Sequence, residues 1–292
     1  MRYSIVHSTT YQYDRPITLS PHILRLRPRC DAAQSVYHFS LDVDPKPLQQ
    51  SETINLDGNT LTTLYFPEEP LTALHLTTSF EIETWVTNPF DYLLEPWAST
   101  LPIDYPATLL NRLQPYLGGW GSNFPGLDPV AVELSRDIWQ ETEGNVSAFL
   151  WALNQRISST CQHIVRETGD PYPPSLTWKT KTASCRDLTV LFMEVCRAMG
   201  LATRFVSGYH EGDPDWEHRH LHAWAEVYLP GGGWRGYDPT QGLAVGDRHI
   251  TLVAAPNSRD TIPISGSLKT GIGATSQMDY TLTIDPISEI HP

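Results

Sequence analysis

Charge is scarce in this 292-residue chain and basic charge scarcer still: Asp, Glu, Lys and Arg make up 18% of it, with 33 acidic side chains against 20 basic ones and a net charge of −13. So acidic a balance repels nucleic acid and anionic membrane surfaces at long range, and neither is expected as a partner. Long hydrophobic runs are also missing. No window approaches the roughly 18 apolar residues of a membrane-spanning helix, and Met1 to Pro16 lacks the charged start and unbroken apolar stretch of a secretory leader. Cysteine is sparse. Cys30, Cys161, Cys185 and Cys196, spread over this length, do not make the dense disulfide framework of small secreted domains. These absences lead us to expect a soluble, unprocessed chain in a reducing cytoplasm.

What is present is ample core material, with 40% hydrophobic and 10% aromatic residues. The length is about twice that of a usual single domain, so two packed domains, or one with a large addition, are expected. From Tyr3 to about Thr87 the chain reads as β. Tyr3 to His7, Val36 to Leu41, Leu61 to Phe66 and Phe80 to Val86 alternate with period two and carry β-branched or aromatic residues. Pro, Asp and Gly clusters separate them, including the turn signal Asp57-Gly58-Asn59. This pattern predicts an all-β domain of sandwich or barrel type over residues 1–95. Residues 96–129 are Pro-rich and predict a connector with short helices. Residues 130–292 hold helical periodicity in Val130 to Thr142 and again after the N-cap candidate Asn145.

The strongest helical signal starts at Cys185. Leu188, Leu191, Phe192, Val195, Cys196 and Met199 recur at steps of three and four, giving one wide apolar face. Ser184 and Asp187 have capping-box spacing, and Gly200 is the expected terminator. Three β-like segments follow, Thr203 to Tyr209, His220 to Leu229 and Trp234 to Tyr237. The last two are joined by Pro230-Gly231-Gly232-Gly233 and should form a hairpin, so the class is α+β, a helix packed on an antiparallel sheet.

A cysteine in the first turn of a helix sits where free backbone amides and the helix dipole favour the thiolate. His222 on one strand of the hairpin and Asp238 just past the other could complete a line of thiol, imidazole and carboxylate, the carboxylate fixing the imidazole tautomer. Each residue has a plainer reading. Cys185 could be a small core residue, His222 a strand histidine bonded to a carbonyl, and Asp238 before Pro239 a turn initiator. His218, His220 and His222 would project to one side of a strand, which brings zinc to mind. A neutral His222 cannot be both metal ligand and general base, however, so no metal and no cofactor is expected.

The joint context alters the weighting. Ser184-Cys185-Arg186-Asp187, Met199 to Tyr209, His222-Ala223-Trp224-Ala225-Glu226-Val227-Tyr228 and Gly233 to Thr240, in that order, resemble the transglutaminase-like superfamily, in its bacterial branch of candidate cysteine proteases. His249-Ile250 and Pro263-Ile264-Ser265-Gly266 extend the resemblance, and His22 to Pro28 is similar to the β domain that precedes the core in that branch. The resemblance implies a papain-like core in which Cys185 attacks an amide carbonyl, His222 takes and returns the proton, and Asp238 orients His222. It further implies a thioester cleaved by water or by a primary amine, a protein or peptide amide as substrate, and an oxyanion held by the Cys185 amide and a donor upstream. Trp178 and Thr182 are candidates for that donor, and Trp224 and Trp234 for walls of a substrate groove. The competing readings are a transglutaminase-type acyltransferase, a non-catalytic interaction module working through the β domain, and a metal-dependent hydrolase built on the histidine loop 210–222.

Overall fold

A computed structural model describes residues 1–118, 126–166, 168–212, 219–271 and 273–287. The first region is built on β1 (Arg2–Leu19), followed by β2 (His22–Leu24), β3 (Gln34–Asp44), β4 (Gln49–Ile54), β5 (Thr60–Tyr65) and β6 (Leu71–Thr84). The alternation in sequence becomes alternation in burial. Along β6, Leu74, Leu76, Thr78, Phe80, Ile82 and Thr84 face inward and the residues between them do not. Strands β1, β6 and β3 share one sheet, and β2, β5 and β4 another. Ile17, Leu24, Val43, Leu64, Leu74 and Leu76 fill the space between the two. Gly58 supplies the positive φ of the turn from β4 to β5.

Short helix α1 (Ala107–Leu117), with Pro115 inside it, occupies the Pro-rich connector. Next come α2 (Pro129–Glu141) and α3 (Val146–Thr160), capped by the side chains of Asp128 and Asn145. Two short parallel strands, β7 (Gln162–His163) and β8 (Thr182–Ala183), flank α4 (Pro174–Thr180). Then α5 (Cys185–Ala198) packs on a five-stranded antiparallel sheet of β9 (Thr203–His210), β10 (His222–Leu229), β11 (Gly233–Asp238), β12 (Leu243–Ala244) and β13 (His249–Ala255). The hairpin expected at Pro230 to Gly233 joins β10 to β11. Gly200, at φ +74°, ends α5.

The anticipated single apolar face of α5 is an underestimate. Thr189, Glu194 and Arg197, on its polar side, are buried as well, because α2, α3 and α4 cover that side while the sheet covers the other. The polar groups there are satisfied: Arg197 donates to the carbonyls of Tyr116 and Thr203, and Glu194 accepts from the Asp128 amide.

The chain then returns to its start. Strands β14 (Ile264–Ser265), β15 (Leu268–Thr270) and β16 (Ser276–Pro286) join the two N-terminal sheets, and β16 pairs with β1 from Tyr3↔Pro286 to Tyr13↔Ser276. The sequence reading kept these residues with the core region 130–292. The correction follows from β1, which needs a partner on its second edge. The two regions dock through Tyr3, Ile5 and Phe80 against Tyr209, Ile250 and Leu252. Two buried amides add to this. Gln34 exchanges hydrogen bonds with the backbone of Thr251, and Asn59 does the same with Ala254, so both side chains act as a surrogate strand along β13.

Candidate active site

The site grows from the N-terminus of α5. Asp187, fully buried in the first turn, accepts from the Ser184 amide and hydroxyl through Oδ2, at 2.8 Å each, and from the Tyr172 amide and Arg166 through Oδ1. It is a cap that ties the approaching loop to the helix start, as its spacing suggested. Cys185 follows as the first helical residue, partly exposed, while Cys196 lies fully buried in the core.

Register places the partners. His222 opposes Gly208 and Trp224 opposes Val206 across β9 and β10, and His210 opposes His249 across β9 and β13. Directly opposed residues in antiparallel strands project to the same side, so one sheet face carries all three imidazoles together with Asp238 from the end of β11. Gly208 leaves this face open, since a Cβ there would stand 2.7 Å from the Trp224 ring and 2.1 Å from the Ile250 carbonyl oxygen.

His222 Nε2 donates to Asp238 Oδ2 at 2.7 Å, which leaves Nδ1 for the thiol. Burial alone would discharge this imidazole. The charge and hydrogen bond of Asp238, with the bond to Cys185, outweigh burial and push its pKa up to about 10. Burial likewise opposes a Cys185 thiolate, but hydrogen bonds from His163 and His222 and the charge of His222 draw its pKa down to about 6. The pair therefore rests as thiolate and imidazolium near neutral pH. Asp238 is fully buried; burial favours its neutral form, yet His222 and His249 hold it ionised, with its pKa below the usual carboxylate range. Its Oδ1 accepts from the amides of Thr240 and Gln241, so the turn at Pro239 and the orientation of His222 come from one side chain.

The other candidates fall elsewhere. Trp178 stacks on Lys181 and packs against the core, Thr182 sits on β8, and neither lines the cavity beside Cys185. Trp224 is fully buried beneath His222 and His249. Trp234 packs on Tyr116 and Tyr228 under Arg204. Trp224 is a core residue, as hairpin aromatics usually are, and Trp234 is a partly exposed one held by its aromatic neighbours. His220 contacts Tyr280, and His218 lies outside the described residues. His163 escaped the sequence reading. It stands on a two-residue strand with no periodicity around it, and only the parallel pairing His163↔Ala183 brings it to the nucleophile.

Cys185, His163 and His222 open onto a cavity of about 470 Å³ whose opposite wall is the N-terminal region, with His7, Thr9 and Tyr11 from β1 and Met278 and Tyr280 from β16. Within the sequence, residues 3–83 match the bacterial transglutaminase-like N-terminal region and residues 133–239 match the core of the transglutaminase-like superfamily. The chain belongs to the transglutaminase-like superfamily. Along its length it is similar to uncharacterized proteins of Mycobacterium tuberculosis, at 25% identity over 98% of this chain and 93% of that one, and of Mycobacterium leprae, at 27% over 94% and 95%. A structure from Cytophaga hutchinsonii, described as that of a candidate cysteine protease, shares the fold with a TM-score of 0.73 at 20% identity, covering 100% of this chain and 93% of that one. The fold of that structure thus runs through the whole chain, β domain and core together.

Proposed function

We propose that the protein is a thiol-dependent amide hydrolase acting on peptides or on side-chain amides. The observation that carries this reading is the hydrogen-bonded line from the Cys185 thiol through His222 to buried Asp238. The Cys185 thiolate attacks the carbonyl carbon. The oxyanion is received by the Cys185 amide, which helix geometry leaves without an intrahelical acceptor, and by His163, the upstream side chain beside the thiol. The His222 imidazolium gives its Nδ1 proton to the departing amine, and the C–N bond breaks to leave a thioester. Water, deprotonated by His222, cleaves the thioester to an acid and restores the thiol pair. No step calls on a metal or cofactor. We assign the protein to a reducing compartment on its unpaired cysteines.

The test is a panel of glutamine-containing and other amide peptides assayed with and without a primary amine, before and after dialysis against a chelator. Acid product that survives chelation and disappears after thiol alkylation is expected. Amine incorporation would redirect the reading to transamidation through the same thioester. Turnover lost on chelation and restored by zinc would overturn it, and the absence of any turnover with an intact, reactive Cys185 would favour an interaction module.

A further inference from the structure

Asp238 serves two imidazoles. Its Oδ2 accepts from His222 at 2.7 Å and from His249 Nε2 at 3.2 Å. An ionised carboxylate only accepts, so His249 must carry its proton on Nε2. His249 is buried, and burial, with the positive charges of His222 and Arg248, keeps it neutral despite Asp238. Its Nδ1 is therefore a bare acceptor, buried and without a hydrogen-bond partner among the described residues.

The neighbouring ring is complementary. His210 Nδ1 accepts from the Gly212 amide at 3.0 Å, so neutral His210 carries its proton on Nε2. That donor is also buried and unpartnered among the described residues, as is the indole N–H of Trp224. The rings of His210 and His249 lie 4.5 Å apart and those of Trp224 and His249 5.2 Å apart. Two donors and one acceptor, all buried on neighbouring rings, match the needs of a single water, which accepts twice and donates once. Among the described residues, the groups facing this cluster that can carry charge are Asp238, His222 and Arg248, with Cys185 beyond His222.

We infer that His249 is a positioning residue for the Asp238 carboxylate, and that His210 and Trp224 fix its tautomer through one bound water. The catalytic carboxylate is then the middle of a chain running from the water through His249, Asp238 and His222 to Cys185. With Oδ1 held by two backbone amides and Oδ2 by two imidazoles, Asp238 cannot turn away from His222, and the imidazolium that sustains the thiolate persists. The inference rests on the thiol reading above and goes beyond it, because nothing in a Cys, His and Asp line requires a second imidazole on the carboxylate.

Alkylation of Cys185 by iodoacetamide, followed by mass mapping across pH, tests this in the full chain without a substrate. His249→Phe, which keeps the ring volume and removes the donor, should raise the pH midpoint by about one unit. His249→Gln, which keeps an N–H for Asp238, should restore it. A His249→Phe profile that superimposes on wild type, while His222→Ala shifts, overturns this inference alone. An unshifted His222→Ala profile overturns the thiol reading and the inference with it. If His249→Phe does not fold, the imidazole nitrogen spectrum of the wild-type protein decides: His249 should show a protonated Nε2 and a bare Nδ1 from about pH 7 to about pH 8. Protonation of its Nδ1 in that range overturns the inference.

Discussion

An ordinary thiol near pH 9 would leave Cys185 almost wholly protonated at neutral pH, whereas its hydrogen bonds with His163 and His222 bring the midpoint to about 6. The sign is explicit: below about 6 the thiol is protonated and alkylates slowly, and above it the rate should reach a plateau. Turnover needs the His222 proton as well, so it should fall again as pH passes about 10, where the imidazolium discharges. The two limits belong to the coupled pair rather than to either residue alone. His222→Ala should move the alkylation midpoint up by about two units, and Asp238→Asn should move it less. Cys196, whose thiol burial pushes far up, should stay unlabelled in the native protein. If His163 holds the oxyanion, His163→Phe should lower kcat by about a hundredfold with little change in KM, measurable on any amide the wild type turns over. The positions of Cys185 at a helix start and of His222 and Asp238 on one hairpin were legible in sequence, because both are local signals, and the resemblance tied them together. His163 was not, since its approach to Cys185 depends on the pairing of two-residue strands that no pattern marks.

Among the elements, α5 concentrates the consequences. Asp187 takes four hydrogen bonds from Ser184, Tyr172 and Arg166 in a fully buried position. Asp187→Ala should strip those donors at once and cost on the order of 3 kcal/mol, read by urea denaturation. It should also slow Cys185 alkylation as the helix start loosens. On the sheet, Gly208→Ala would drive a methyl into the Ile250 carbonyl and the Trp224 ring. A loss of about 2 to 3 kcal/mol is expected, because the backbone carbonyl cannot move aside as a flexible side chain could. Sequence periodicity located α5 within its true bounds but showed one buried face where the fold buries nearly the whole helix. Periodicity reports the greasiest neighbour, and a polar residue whose partners come from distant loops looks exposed. The same blindness offered Trp224 and Trp234 as groove walls, since sequence alone does not reveal that β13 and Arg204 cover them.

The whole molecule is closed by its own C-terminal segment, which makes β1 an interior strand and supplies Met278 and Tyr280 to the cavity wall. The N-terminal region was legible as β from alternation alone. Its share in the site was not, because strand pairing between residues more than 250 positions apart leaves no local trace. Tyr280→Ala and Tyr11→Ala should raise KM for peptides with a bulky apolar residue beside the scissile amide and leave the alkylation profile of Cys185 unchanged, separating substrate selection from thiol chemistry. The most direct test of the central claim is to trap the acyl-enzyme. The protein is mixed with a p-nitrophenyl ester, quenched in acid and digested, and the acylated residue is identified by mass. The account predicts a hydroxylamine-labile acyl group on Cys185, formed at a rate that collapses in His222→Ala. Acylation of any other residue, or undiminished acylation of Cys185 in His222→Ala, would contradict it.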